Sequence, residues 1–116
     1  MAFTYVKLMD PMVVPTGTAG VILANLAGQK TFVSDIDLHN TTTSAIAVTL
    51  YLVPDSSGSL GTAGASNQVY NLLLPGSESV IIELRYPYVL ADTNDAIFAL
   101  AGSAGVNIVI RGGKDL

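Results

Sequence analysis

The side chains best suited to chemistry in this sequence lie in one short stretch, DIDLH. Asp35, Asp37 and His39 are spaced two residues apart, so on a β-strand all three would lie on the same face. Carboxylate and imidazole groups in that arrangement could in principle hold a divalent cation. The sequence offers no evident fourth ligand, and the alternative is that the three side chains form the solvated face of an amphipathic strand.

A second group of oxygen-bearing side chains lies in ADTNDA. Asp92, Asn94 and Asp95 resemble part of a calcium-binding loop, but the glycine and the bidentate glutamate of the EF-hand pattern are missing. Asp and Asn more often bind their own backbone in a turn. We therefore expect a turn between strands here and assign no metal site.

Catalytic chemistry has little support. His39 is the sole histidine and would have to serve any Ser-His-Asp triad, yet no serine lies in a G-x-S-x-G turn. The chain has no cysteine, and its glycines do not form a phosphate-binding loop. We predict a protein that is not an enzyme, with no catalytic residues and no cofactor.

The composition predicts a sparsely charged and unusually apolar surface. Five Lys and Arg stand against nine Asp and Glu, for a net charge of −4, and only 12% of residues are charged, compared with roughly 25% in average soluble domains. Because no basic cluster is present, we expect neither nucleic acid nor a membrane as a partner. The apolar runs are shorter than a membrane-spanning helix, and the first residues lack a secretory signal, so we expect synthesis in the cytoplasm without export by the general route.

Apolar residues alternate with a period of two along most of the chain, which is typical of β-strands. In TFVSDIDLHN the alternation directs Phe32, Ile36 and Leu38 toward a core, and residues 40–44 are predicted to be a turn joining two antiparallel strands. Other strands are predicted at 20–26, 45–53, 68–74, 79–85, 96–101 and 106–111. The fold class is therefore all-β: an antiparallel β-sandwich of jelly-roll or immunoglobulin-like type.

The N-terminal residues depart from this regularity. Pro11 and Pro15 argue against a central strand, so we predict an extended N-terminal arm over residues 1–19 and a sandwich domain over residues 20–116. Apolar arm side chains are costly to leave in water, and the arm would lie along its own sandwich or along a neighbouring molecule. These side chains are Phe3, Tyr5, Met9, Met12, Val13 and Val14.

Further features could contact a partner. The loop 54–67 is too long for a tight hairpin and is either a mobile surface loop or a binding loop. Tyr86 and Tyr88 either pack the end of the sandwich or form an aromatic patch. The second face of strand 45–53 includes Tyr51 and is too apolar for a solvated sheet, so we expect copies or partners to cover part of it.

The order of three segments resembles the small β-sandwich virion proteins of tailed bacteriophages. The segments are LHNTTTSAIAVTLYLVP, NQVYNLLLPGSESVIIEL and YPYVLADTNDAIFALAGSAGVNIVIRG, and the resemblance covers about residues 20–113. An L-x-N turn leads into the VTLYLV strand, a PGSESV turn leads into the next strand, and a VNIVI strand closes the pattern. The chain departs from the pattern at ADTNDAI, where it carries an insertion.

The resemblance implies a capsid decoration, or cement, protein on the surface of the virion. Its expected partners are the major capsid protein and further copies of itself, as a trimer or dimer. The six arm side chains would make these contacts, and deleting residues 1–15 is expected to abolish particle binding while leaving the sandwich folded. The alternative is a tail, baseplate or head-fibre component that binds the host surface or another virion protein through the 54–67 loop or the tyrosines.

Overall fold

The computed structural model describes residues 3–115, and this part of the chain is almost entirely strand and turn. The predicted all-β class is confirmed. The elements in chain order are β1 (Phe3–Val6), β2 (Met12–Val13), β3 (Gly20–Ala24), β4 (Lys30–Asn40), β5 (Ile46–Val53), a 3-10 turn (Ala65–Asn67), β6 (Gln68–Leu74), β7 (Ser79–Leu90), β8 (Ala96–Ala101) and β9 (Val106–Asp115).

The strands form two antiparallel sheets, which confirms the predicted sandwich. The first sheet has the order β1-β9-β4-β7, with β2 also paired to β9, and the second has the order β3-β8-β5-β6. The pairs are nested: β5 pairs with β6, β4 with β7, β3 with β8, and β2 with β9. Nested antiparallel pairs divided between two sheets are the arrangement of a jelly roll.

Most connections therefore cross from one sheet to the other. β4 lies in the first sheet and β5 in the second, so the prediction that residues 40–44 join two paired strands is wrong. The alternation of apolar residues shows which face of a strand is buried, but it carries no information about which strand is the neighbour.

The core fills the space between the inner faces of the two sheets. Its largest fully buried side chains include Ile36 and Leu38 of β4, Leu50 of β5, and Ile108 of β9. The prediction for Phe32 is wrong, because a bulge at Ser34 shifts the register of β4 against both of its neighbours. The bulge reverses the alternation, so that Val33 is fully buried while Phe32 is half-buried on the other face.

Candidate functional site

The N-terminal segment lies along the first sheet of its own chain. β1 pairs with the last residues of β9, so that Val6 lies opposite Gly112, and β2 pairs with β9 at Ile108 and Asn107. Between β1 and β2, residues 7–11 leave the ladder, and Lys7 forms an exposed ion pair with Asp10. A groove of about 540 Å³ lies between this segment and β9.

The six arm residues divide into anchors and exposed side chains. Val14 is only 1% exposed and belongs to the core, and Met9 and Met12 pack against it. Tyr5 is 79% exposed and Val13 57%, whereas the side chain of Phe3 lies outside the described residues. Deleting residues 1–15 would remove Val14 from the core. The deletion is therefore no longer expected to leave the sandwich intact.

The structure does not bring Asp35, Asp37 and His39 together as a ligand set. They lie on the outer face of β4, but the Asp37 carboxylate forms an ion pair with Arg111 of β9. The Nδ1 atom of His39 lies 2.7 Å from Ser79 Oγ on β7. Within residues 3–115, no three His, Asp or Glu side chains are arranged to hold a metal ion.

The contact between His39 and Ser79 pairs a base with a hydroxyl, as nucleophilic catalysis requires. A Ser-His-Asp triad also needs a carboxylate that orients the imidazole. The nearest candidate along the strand, Asp37, is held by Arg111 instead. Ile81 and Val109 form the apolar sides of the shallow depression of about 290 Å³ around this pair, so the outer face of the first sheet is a mixed polar and apolar surface.

The polar turn 91–95 has a structural role. The Asp95 carboxylate accepts hydrogen bonds from the backbone N–H groups of Asp92 (3.0 Å), Ala91 (3.2 Å) and Asp55 (2.8 Å). The Asn94 amide donates to the carbonyl oxygen of Gly58 at 3.1 Å. These carboxylate and amide groups fasten the turn to the start of the 54–67 loop, as Asp and Asn commonly do in turns.

The 54–67 loop folds back over the second sheet. Its Ala63 packs against an apolar cluster on the outer face that contains Tyr51, Val53 and Phe98. Gly61 lies so close to the strand that a Cβ atom there would be 2.8 Å from Val53 Cγ1. Tyr51 is only 7% exposed, so the chain itself covers this residue, and Tyr51 does not belong to an accessible partner surface.

The other two tyrosines lie on β7, an edge strand of the first sheet. Tyr86 is 77% exposed, and the Arg85 guanidinium lies 5.6 Å from the centroid of its ring. Tyr88 is half-buried, and burial raises its pKa, with Tyr70 of β6 adding to the effect. Sequence reasoning missed Tyr70 because only the sandwich brings β6 beside β7.

The charged residues are unevenly distributed between the two sheets. None of the strands of the second sheet, β3, β5, β6 and β8, contains Asp, Glu, Lys, Arg or His. The strands of the first sheet hold equal numbers of acidic and basic residues, so the net negative charge of the chain comes from the segments that connect the strands. The second sheet therefore presents a neutral surface, from which Leu73 of β6 is 67% exposed and Val21 of β3 is 39% exposed.

No protein-family model matches the chain, and no curated protein matches its sequence. Residues 3–115 contain no helical segment that could span a lipid bilayer. The surfaces described above are therefore the basis for a functional proposal.

Proposed function

We propose that the chain is a structural virion protein, a decoration protein that binds and stabilises the head of a tailed bacteriophage. The main support is that residues of the N-terminal segment expose apolar side chains although the segment is paired with the sandwich. Tyr5 and Val13 are mostly exposed, as are Ile81 and Tyr86 of β7. Exposed apolar groups on a sparsely charged protein favour burial against a partner.

The N-terminal segment has two roles in this proposal. Met9, Met12 and Val14 anchor it to the core of its own chain, and Tyr5 and Val13 face outward for contact with the major capsid protein. A docked segment loses less conformational entropy on binding than a free arm would, because its backbone is already ordered. Many copies on one head would make modest individual contacts sufficient for stable occupancy.

Co-sedimentation of the purified chain with phage heads that lack it tests the proposal. The double variant Tyr5→Ser/Val13→Ser removes the outward apolar contacts and leaves Val14 in place, so we expect a folded protein that no longer sediments with heads. Leu26→Ser is the matched control, because Leu26 is 62% exposed in the turn after β3. Full binding by the double variant would overturn the proposed contact.

The alternative function, a tail, baseplate or head-fibre binding module, is favoured by one observation. The Arg85 guanidinium lies over the exposed Tyr86 ring on β7, and Tyr88 of the same strand interacts with Tyr70 of β6. An aromatic ring beside a cation can stack on a sugar or on a partner side chain. Under this alternative, Tyr86→Ala would abolish binding to the host surface, and the wild-type protein itself would not associate with heads.

A further inference from the structure

We propose that the edge strand β6 pairs antiparallel with β6 of a second copy of the chain, joining the second sheets of the two molecules into one continuous sheet. This inference is independent of the virion role, since it concerns only how two copies meet. It rests on a comparison of the sheet edges within residues 3–115.

Edges of natural sheets carry features that prevent uncontrolled pairing, among them charges, prolines, bulges and short strands. β7 carries several of these. Glu83 lies opposite Asp35 and Tyr88 opposite Val33, so residues 84–87 bulge out across from the single residue Ser34. Pro87 and Arg85 lie within this excursion, and the edge of β7 is therefore irregular and charged.

The two edges formed by the N-terminal third of the chain are also interrupted. β1 and β2 are short, and residues 7–11 between them carry the Lys7–Asp10 ion pair and Pro11. β3 has five residues, and its register shifts between Val21 and Leu23. Neither edge offers a long regular ladder to another strand.

β6 differs from all of these. It has seven residues, without charge, proline or glycine. Its one irregularity is at its start, since Tyr70–Leu74 pairs in unbroken register with Ile46–Leu50. Leu73 is 67% exposed and Tyr70 36% exposed. An exposed, regular and apolar edge is a site of strand addition.

The distribution of charge favours a second copy as the occupant. The net charge of −4 makes two copies repel each other. The connections hold five acidic residues and one basic residue, Lys7, and the four acids left without a basic neighbour there are Asp55, Glu78, Asp92 and Asp95. When two copies pair through their second sheets, no charged strand residues face each other, since the four strands of this sheet have none. An isologous antiparallel pair also satisfies the edges of both molecules at once.

Sedimentation-velocity measurements across a range of concentrations test this pairing. We expect wild-type protein to form a dimer and Leu73→Lys, which places a charge on the edge strand, to weaken the dimer by at least about tenfold, or ~1.4 kcal/mol. Leu26→Lys is the control, because Leu26 is similarly exposed but lies in a turn. A wild-type monomer at all concentrations, or a dimer unaffected by Leu73→Lys, would overturn the inference.

A cross-link locates the contact. The chain has no cysteine, so Asn71→Cys introduces a single thiol in the middle of β6. Cross-strand neighbours, direct or diagonal, lie within about 8 Å, and a bismaleimide of that span should link two copies in high yield. Ala104→Cys, in the exposed loop after β8, should give little product. Equal cross-linking of both variants would contradict pairing through β6.

Discussion

Asn25 and Asn40 are buried at opposite ends of the sandwich, and each joins two connections that cross between the sheets. The Asn40 amide donates to the carbonyl oxygens of Ser44 (2.7 Å) and Leu74 (3.0 Å), and its Oδ1 accepts from the N–H of Thr42 at 2.9 Å. Asn25 donates to Gln29 and Asp92 in the same way. The two side chains replace strand pairing where the chain changes sheet.

Asn40→Ala should destabilise the fold by about 3 kcal/mol, because buried backbone groups lose their partners. Urea unfolding followed by circular dichroism measures the change. Ser103→Ala is the control, since Ser103 is exposed in the loop after β8, and it should change stability by less than about 0.5 kcal/mol. An effect of Asn40→Ala as small as that of Ser103→Ala would show that the Asn40 contacts contribute nothing to stability.

Val13 and Val14 provide a comparison between adjacent residues of the same type. Val14 is 1% exposed and Val13 is 57% exposed, so Val14→Ala should lower the free energy of unfolding by about 2 kcal/mol and Val13→Ala by much less. Thermal and urea unfolding measure both values. A small effect of Val14→Ala would mean that the N-terminal segment is not anchored to the core.

Gly76 allows two connections to approach closely. A Cβ atom at this position would collide with the backbone carbonyl of Thr43, whereas a Cβ atom at Gly64 would meet nothing within 4 Å. Gly76→Ala should therefore destabilise the protein by about 2 kcal/mol, as overpacking commonly does, and Gly64→Ala should be nearly neutral. Parallel urea titrations of the two variants test the prediction, and identical midpoints would contradict it.

Tyr88 should cause the free energy of unfolding to fall as the pH rises in the alkaline range. Burial, with a further effect of Tyr70, raises its pKa above the ordinary value of 10.0, so the folded state retains the phenolic proton longer than the unfolded chain does. This contribution is fully present below about pH 10 and is lost as the pH rises toward the folded pKa. Urea unfolding at a series of alkaline pH values measures this loss of stability, and Tyr88→Phe should reduce it. Identical pH profiles for wild type and Tyr88→Phe would refute the assignment.

The sequence predicts the local features of the fold well, because alternation is a local signal. β6 and β8 have the predicted bounds, and β5 differs by one residue. The side on which Phe32 lies could not be predicted, since the bulge at Ser34 is set by the neighbouring strands β7 and β9. The burial of Tyr51 depends on a loop that returns from beyond the strand. Both features follow from tertiary contacts rather than from local pattern.

The candidate surfaces were predictable to a similar extent. The composition predicts a surface with few charges. It could not show that the second sheet lacks charged strand residues, because non-local pairing decides which strands share a sheet. The division of the N-terminal residues into anchors such as Val14 and exposed side chains such as Tyr5 likewise needs the position of β9. The lack of charge, proline and glycine in β6 is visible in the sequence, but its position at the edge of a sheet is set by non-local pairing.

The proposed structural role in a virion is tested most directly by immunogold electron microscopy of intact particles of a phage whose genome encodes this chain, with antibody against the purified protein. We predict label distributed over the head. Label confined to the tail or neck would favour the binding-module alternative, and the absence of label from particles would contradict a virion role.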